Sequence, residues 1–133
     1  MKHLISESTK AALIEQLAAE KFNANLYLRI AAFLDSKGLK SLSKHFLEQH
    51  DEETQHSLMI YHLLSDLGED FGIPEINAVE NNFETIMDIA KLYLQREEET
   101  TTSLKEIRQL AATEGEGGCP IVEVAMIDML RLQ

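Results

Sequence analysis

The sequence of 133 residues contains one cysteine, two prolines, no tryptophan and few basic residues. Because Cys119 has no second cysteine to pair with, no disulfide can form within the chain, and a reducing compartment is the simplest interpretation. Twelve Lys and Arg against 23 Asp and Glu give a formal net charge of −11. That charge disfavours nucleic acids and anionic membranes as partners, and it suits either cation binding or solubility alone.

Long hydrophobic runs are also missing. The most apolar stretch, "LYLRIAAFL", contains Arg29 and is too short to cross a bilayer. The N-terminal segment "MKHLISESTK" lacks the apolar core of a secretory signal peptide. We therefore expect no membrane span and a cytoplasmic location.

The scarcity of proline and glycine leaves long segments with uninterrupted helical periodicity. Three long helices are predicted, at Ser8–Lys37, Leu39–Leu67 and Phe83–Thr113. We expect Ser8 to be the N-cap of the first helix and Gly38 its left-handed C-cap. Residues 69–82 have no helical period and form an irregular connection, and the tail after Pro120 begins a fourth helix that runs out of chain. Residues 1–133 are expected to form one all-α domain.

Each long helix carries apolar side chains at alternating spacings of four and three, the pattern of a four-helix bundle. The predicted core positions are Leu13, Leu17, Ala24, Tyr27, Ala31 and Leu34, then Leu42, Phe46, Gln49, Ile60, Leu63 and Leu67, then Phe83, Ile86, Ala90, Tyr93, Thr100, Leu104, Ile107 and Ala111. A carboxylate interrupts each series near its middle: Glu20, Glu53 and Glu97. His56 lies one turn after Glu53 on the same face, whereas His45, His50 and His62 lie off it and are expected at the surface.

The depth of these carboxylates in the bundle can be estimated from the helical rise of about 1.5 Å per residue. The first two helices fold back on each other at Gly38, so Glu20 and Glu53 lie at similar depths. The 14-residue connection could reach about 46 Å, enough to travel the length of the bundle and return the third helix parallel to the second. Glu97 then falls at the same level. Three buried carboxylates with one histidine are costly without cations, and two divalent ions would neutralise them. The donor set suits iron or manganese, with zinc as a competitor.

The residues that carry this pattern also resemble a known family. The segment "EKFNANLYLRIAAFLDSKGLKSLSKHFLEQHDEETQHSLMIYHLLSDLG" resembles the first two helices of the ferritins, in particular the bacterial non-haem ferritins. "GIPEINAVENNF" is similar to their crossover loop, and "YLQREEETTTSLKEIRQLA" to their third helix. The resemblance covers residues 8 to 120. It implies a ferritin-like four-helix bundle with a long crossover between helices two and three.

The resemblance also implies a ferroxidase centre. Glu20 and His56 would hold one iron, Glu53 would bridge two irons and Glu97 would hold the second. Tyr27 would hydrogen-bond near the centre and donate an electron. Two further positions are matched with less certainty: Glu52 to an accessory iron site and Gln133 to a glutamine of the fourth helix.

The implied activity is oxidation of Fe(II) to Fe(III) by O2 or peroxide, with storage of a ferric mineral in a homo-oligomeric shell of twenty-four subunits. Haem is not expected, because bacterioferritins place a haem-ligating Met directly after the bridging Glu, where this chain has Thr54. They and the rubrerythrins also have a second Glu-x-x-His in the fourth helix, and the tail here has no histidine.

A short or truncated fourth helix is the main departure from the family. An open bundle of this kind would expose Ala90 and Leu104. Two alternatives therefore stay open: a different di-metal carboxylate enzyme on the same bundle, and a shortened structural or partner-binding relative without catalysis.

Overall fold

The computed structural model describes residues 4–114 and 118–132. In these ranges it contains four helices and no strand: α1 (Glu7–Ser36), α2 (Lys40–Asp66), α3 (Ile86–Ala112) and α4 (Pro120–Arg131). The prediction of an all-α chain with a short fourth helix is confirmed, since α4 has only 12 residues. None of the described helices has the length and apolarity that a membrane span requires.

The ends of α1 and α2 are set by local sequence. The Ser6 side chain, not that of Ser8, caps α1 by accepting a hydrogen bond from the Thr9 amide at 3.1 Å, so the predicted cap was wrong by two residues. The prediction for the other end is confirmed, because Gly38 follows the helix with φ +76°. Gly68 has the same φ after α2. A left-handed glycine thus closes both helices where the periodicity stops.

The connection between α2 and α3 is irregular over residues 69–82, as predicted. α3 begins at Ile86 rather than at Phe83, because Thr85 and Asp88 form a capping box. The Asp88 amide donates to the Thr85 hydroxyl at 3.1 Å, and the Thr85 amide donates to the Asp88 carboxylate at 3.3 Å. This reciprocal pair satisfies two backbone donors and fixes the start of the helix.

The contacts between helices establish the topology. Along α1, Ser6, Asn23 and Tyr27 contact Glu114, Thr100 and Glu97 in turn, so α1 and α3 are antiparallel. His56 of α2 lies beside Glu20, and His50 Nδ1 lies 2.7 Å from the Ala24 carbonyl oxygen, so α1 and α2 are antiparallel as well. α3 therefore runs parallel to α2, which is the arrangement that the long crossover predicted.

The core consists of two clusters, one on each side of the carboxylate level. The first is formed by all four helices and includes Leu13, Leu17, Ile60, Leu64, Leu104, Ile107, Val122, Met126 and Met129. The second is formed by α1, α2 and α3 and includes Leu26, Tyr27, Ile30, Leu34, Phe46 and Ile89. Among the described residues, α4 thus covers one half of the bundle and leaves the other half with three helices.

Because α4 covers only one half of the bundle, the burial of several predicted core positions depends on which half they occupy. Leu104 is a predicted core position that an open bundle would expose, and it is fully buried because it belongs to the cluster that α4 completes. Ala90 was also predicted in the core but is exposed, the outcome expected of an open bundle. Leu42 and Ile86 were expected in the core but are 41% and 50% exposed, since they lie beyond the reach of α4.

Candidate metal centre

Glu20, Glu53 and His56 meet in the interior of the bundle, between α1 and α2. All three are buried, and one ligand atom of each lies within 4.8 Å of the others. His56 Nδ1 is 3.5 Å from Glu53 Oε2 and 3.7 Å from Glu20 Oε2. The i, i+3 spacing on α2 places Glu53 and His56 on one face, and the hairpin turn at Gly38 brings Glu20 opposite them.

The atoms that face one another in this cluster have no hydrogen-bond partner. Glu20 Oε2, Glu53 Oε2 and His56 Nδ1 are buried and unpartnered. The separations of 3.5 and 3.7 Å between them are too long for good hydrogen bonds, so their interaction is electrostatic. The other oxygen of Glu20 is held, because Gln16 Nε2 donates to Glu20 Oε1 at 3.1 Å. Two carboxylate oxygens and an imidazole nitrogen without hydrogen-bond partners form a donor set suited to a divalent cation.

The pKa values of the three residues also favour a cation-binding role. Burial, followed by the nearby Glu20 carboxylate, raises the pKa of Glu53 to about 8. Burial would lower the pKa of His56, but the Glu20 and Glu53 carboxylates outweigh it and raise that pKa to about 10. Burial also acts to raise the pKa of Glu20, and the adjacent His56, Glu53 and Gln16 together bring it below the ordinary value. The metal-free cluster thus keeps protons that a bound dication would replace.

Glu97 lies apart from this group, on α3. It is half-buried, and its Oε1 accepts a hydrogen bond of 2.8 Å from the hydroxyl of Tyr27. Burial and the charge of Glu97 raise the pKa of Tyr27 well above the usual range, which keeps the phenol protonated as the donor. The structure therefore brings Glu20, Glu53 and His56 together and pairs Glu97 with Tyr27.

The other predicted positions lie at the margin. Glu52 is exposed, and its Oε2 accepts from Gln49 Nε2 at 3.3 Å. It lines a groove between α2 and α4 that His56 and Leu132 also line. Gln133 lies outside the described residues. Thr54, at the position considered for haem ligation, is exposed, and its hydroxyl donates to the His50 carbonyl oxygen at 3.0 Å.

Sequence reasoning missed several polar residues around the centre. Gln16 is 3% exposed and contacts Glu20, and its position four residues before Glu20 could have revealed it. Asn23 is fully buried and donates to the Thr100 hydroxyl at 3.0 Å, while its oxygen accepts from Arg96 at 2.8 Å.

The expectations for the off-face histidines had mixed outcomes. His50 was expected at the surface but is half-buried, because its ring contacts the Ala24 carbonyl oxygen. His45 and His62 are exposed, as expected.

A second tyrosine adjoins the site. The rings of Tyr93 and Tyr27 have centroids 5.3 Å apart, and the Tyr93 hydroxyl donates to Gln49 Oε1 at 2.9 Å. Burial, then the charges of Glu97, Glu52 and Glu53, raise the pKa of Tyr93 to about 12.

Comparison with known protein sequences reveals relatives along most of the chain. Ferritin BfrB of Mycolicibacterium smegmatis is 36% identical over 106 residues, which are 79% of this chain and 59% of that protein. A bacterial non-heme ferritin of Staphylococcus epidermidis is 31% identical over 108 residues, covering 81% of this chain and 65% of that protein. A protein named bacterioferritin BfrB from Mycobacterium tuberculosis is 32% identical over 106 residues, covering 80% and 59%. The chain thus spans 59 to 65% of the length of these curated relatives.

Solved structures agree on the fold. Chlorobium tepidum ferritin superposes with a TM-score of 0.89 at 19% identity, over 96% of this chain and 77% of that one. A humanized archaeal ferritin superposes with a TM-score of 0.80 at 25% identity, over 96% and 84%. The family model described as the ferritin-like domain matches residues 10–119. The chain belongs to the ferritin family.

Proposed function

We propose that this protein stores and detoxifies iron by binding Fe(II) inside the bundle, oxidising it to Fe(III) and depositing the product as a ferric mineral. The observation that carries the proposal is the set of three buried, unpartnered donor atoms of Glu20, Glu53 and His56. Buried carboxylates without partners are costly, and a divalent cation offsets that cost. Membership of the ferritin family makes iron the cation of choice.

Each residue of the proposed centre has its own role. Glu20 and His56 hold the first Fe(II), and Glu53 bridges it to a second. Glu97 holds the second ion once its oxygen is released from Tyr27. Oxidation of two Fe(II) yields two electrons, which with two protons reduce O2 to hydrogen peroxide or reduce peroxide to water. Tyr27, packed beside the centre, is proposed as the electron donor when only one Fe(II) is bound: one electron from Fe(II) and one from Tyr27, with the phenol proton and one further proton, reduce O2 to hydrogen peroxide.

Further features of the proposal follow the family. Glu52 is proposed as an accessory iron position toward the mineral, and Gln133 as the glutamine that ferritins place on the fourth helix at the level of Glu97. We propose a cytoplasmic homo-oligomer, in the form of a twenty-four-subunit shell, without nucleic-acid or membrane partners. We also propose that the protein holds no haem, because Thr54 occupies the position of the haem-ligating Met. Absence of a Soret band after expression with added haem tests that point, and a stoichiometric band contradicts it.

Iron loading in air tests the main proposal. Wild-type protein given Fe(II) should form a ferric mineral of many irons per subunit, whereas a catalytic di-metal protein would bind about two irons per subunit. The variant Glu53→Ala/His56→Ala should lose the rapid oxidation phase. A matched control is His45→Ala/Glu48→Ala, which removes an exposed His and Glu at the same spacing on the same helix. Equal uptake by wild type and the site variant would instead support a bundle without catalysis.

A further inference from the structure

A groove of about 380 Å³ lies between α1 and α3. Its lining on α1 begins at Ala12, about two helical turns before Glu20. We call it the α1–α3 groove. Its lining includes Ala12, Glu15, Gln16, Ala19, Ser103 and Glu106. The groove exists because Ala12, Ala19 and Ser103 are too small to fill the space between the two helices.

The outer part of the groove is acidic. Glu15 and Glu106 are exposed residues on its opposite walls. A neighbouring depression on α3 shares Ser103 and Glu106 with the groove and adds Glu98 and Glu99. Carboxylates that line a concave surface concentrate cations and raise their rate of arrival. Acidic residues alone do not define a path, so the inner end of the groove decides what it can do.

The inner end of the groove meets the metal centre through a single side chain. Gln16 lines the groove although only 3% of it is exposed, and its Nε2 donates to Glu20 Oε1 at 3.1 Å. The second oxygen of Glu20 is fully buried, unpartnered and directed at His56. Gln16 therefore separates the acidic groove from the unpartnered donor atoms of the centre. Its side chain is neutral and flexible, so rotation moves no charge and leaves Glu20 Oε1 free to meet an incoming cation.

We propose that the α1–α3 groove is the entrance by which Fe(II) reaches the centre and that Gln16 is its gate. The proposal rests on the proposed function, since it needs the centre to bind Fe(II). The groove between α2 and α4 also reaches His56 and carries Asp51 and Glu52, the latter proposed above on the way to the mineral, but its exposed surface is mostly apolar. A hydrated dication is better matched by the more polar α1–α3 groove.

A residue on a path changes the rates of binding and release but not the affinity, and this separates it from a ligand. The first experiment uses Ser103→Cys, which places a reactive thiol in the groove, because the native Cys119 is buried. A bulky methanethiosulfonate reagent blocks the groove reversibly. Binding of Co(II), an oxygen-stable probe, is followed by stopped-flow absorbance and by equilibrium titration. The control is Gln109→Cys, an exposed position on the same helix.

Blocking Ser103→Cys should slow Co(II) association by about tenfold or more, leave the dissociation constant unchanged and be reversed by reduction. Blocking Gln109→Cys should have no effect. An unchanged rate of Co(II) association for blocked Ser103→Cys overturns the proposal that the groove is the entrance. Failure of unmodified wild type to bind Co(II) at equilibrium overturns the proposed function instead, so the two failures are distinguishable.

Two further variants test the charge and the gate. Glu15→Gln/Glu106→Gln should slow association about two- to tenfold at low salt and less at high salt, because charge steering is screened. Glu80→Gln/Glu84→Gln makes the same charge change on the crossover and should not slow it. Equal slowing by both pairs overturns the steering role of the groove.

Gln16→Ala should speed both association and release. A residue that only orients Glu20 would slow association when removed, so a rate at or below that of wild type overturns the gate.

Discussion

Tyr27 and Gln16 each hold one oxygen of a carboxylate that we assign to the metal centre. The Tyr27 hydroxyl donates to Glu97 at 2.8 Å, and Gln16 donates to Glu20 at 3.1 Å. Both bonds involve a group that metal binding would recruit, but they differ in consequence. Gln16 leaves Glu20 Oε2 free toward His56, whereas Tyr27 holds Glu97 apart from the three-residue cluster. In the proposed centre the first metal position would therefore be preformed, and the second would be completed only when Glu97 changes partner.

Tyr27→Phe tests this order of assembly. Removing the hydroxyl frees the Glu97 carboxylate, so the second of two Co(II) binding steps should tighten by about two- to tenfold, the worth of one hydrogen bond. Isothermal titration in the absence of oxygen measures both steps. Tyr93→Phe is the matched control, because its hydroxyl donates to Gln49 rather than to a proposed ligand. The assignment would be contradicted if Tyr27→Phe tightened only the first binding step. It would also be contradicted if Tyr27→Phe and Tyr93→Phe tightened the second step equally.

A second prediction at this scale concerns Glu114, just after α3. Its Oε1 accepts from the Ser6 amide at 2.8 Å and also from the Ser6 hydroxyl. Burial would raise the pKa of Glu114, but the hydrogen bonds from Ser6 and Thr9 lower it. A carboxyl whose folded pKa is depressed stabilises the fold fully above its unfolded pKa of 4.5, and that stability is lost as the pH falls through the folded value.

Glu114→Gln should therefore lower the free energy of unfolding near pH 7 by about 1 kcal/mol or less, since the carboxylate is partly exposed. The difference from wild type should shrink below pH 4.5. Urea unfolding across this pH range measures it. Glu106→Gln, an exposed change on α3, should leave the free energy of unfolding unaltered at all pH values. A difference in the free energy of unfolding that grows as the pH falls would contradict the stabilising role of the Glu114 carboxylate.

At the scale of elements, two glycines show what the turns require. Gly38 has φ +76°, and a Cβ there would meet nothing within 4 Å. Gly118, which precedes α4, has φ +69°, and a Cβ there would lie 2.7 Å from the Ala112 carbonyl oxygen and 2.9 Å from that of Ala111. The first glycine is needed only for its backbone conformation. The second is needed for both conformation and space.

Gly118→Ala should consequently destabilise the protein more than Gly38→Ala. The left-handed conformation alone costs an alanine about 1 kcal/mol, and the clash with backbone oxygens at Gly118 adds about 1–3 kcal/mol. Thermal unfolding of the two variants side by side measures the difference. A larger loss for Gly38→Ala would mean that the turn before α4 adjusts freely.

The sequence predicted these elements well where local chemistry decides them. The left-handed glycines closed α1 and α2, and every position predicted on the core face of α1 is buried, although the pattern did not reveal neighbouring buried residues such as Gln16 and Asn23. The start of α1 was missed because Ser6 and Ser8 are equally good caps by type, and the contact of Ser6 with Glu114, 108 residues away, distinguishes them. Leu42, Ile86 and Ala90 were wrongly assigned to the core for a similar reason, since their burial depends on how far α4 reaches.

The same distinction applies to the site. Glu20, Glu53 and His56 could be singled out because they interrupt apolar faces at one depth. The bond between Tyr27 and Glu97 could not, because it depends on side-chain rotamers in a gap between helices. Gln16 has a spacing signal, but a glutamine four residues from a glutamate is common on exposed helices. Only its burial shows that it faces the centre.

For the whole molecule, the centre is a source of instability in the metal-free state. Glu20, Glu53 and His56 bury polar atoms without partners between two apolar clusters. Removing one partner of a buried ion pair usually destabilises a protein, but Glu53 can be removed while Glu20 and His56 stay paired with each other. An apolar side chain of similar volume in place of Glu53 then removes the cost of a buried, unpartnered oxygen. A cation that binds only the folded state reverses the balance, because it stabilises in proportion to the logarithm of its concentration over its dissociation constant.

Glu53→Leu should thus raise the stability of the metal-free protein by about 1–3 kcal/mol while abolishing the rise in melting temperature that Co(II) produces in wild type. Differential scanning calorimetry with and without Co(II) gives both quantities. Glu48→Leu is the control, because Glu48 is exposed on the same helix, and it should leave the metal-free stability nearly unchanged and keep the response to Co(II). A metal-free Glu53→Leu protein less stable than wild type would mean that the carboxylate has a structural role, and a retained Co(II) response would remove Glu53 from the ligand set.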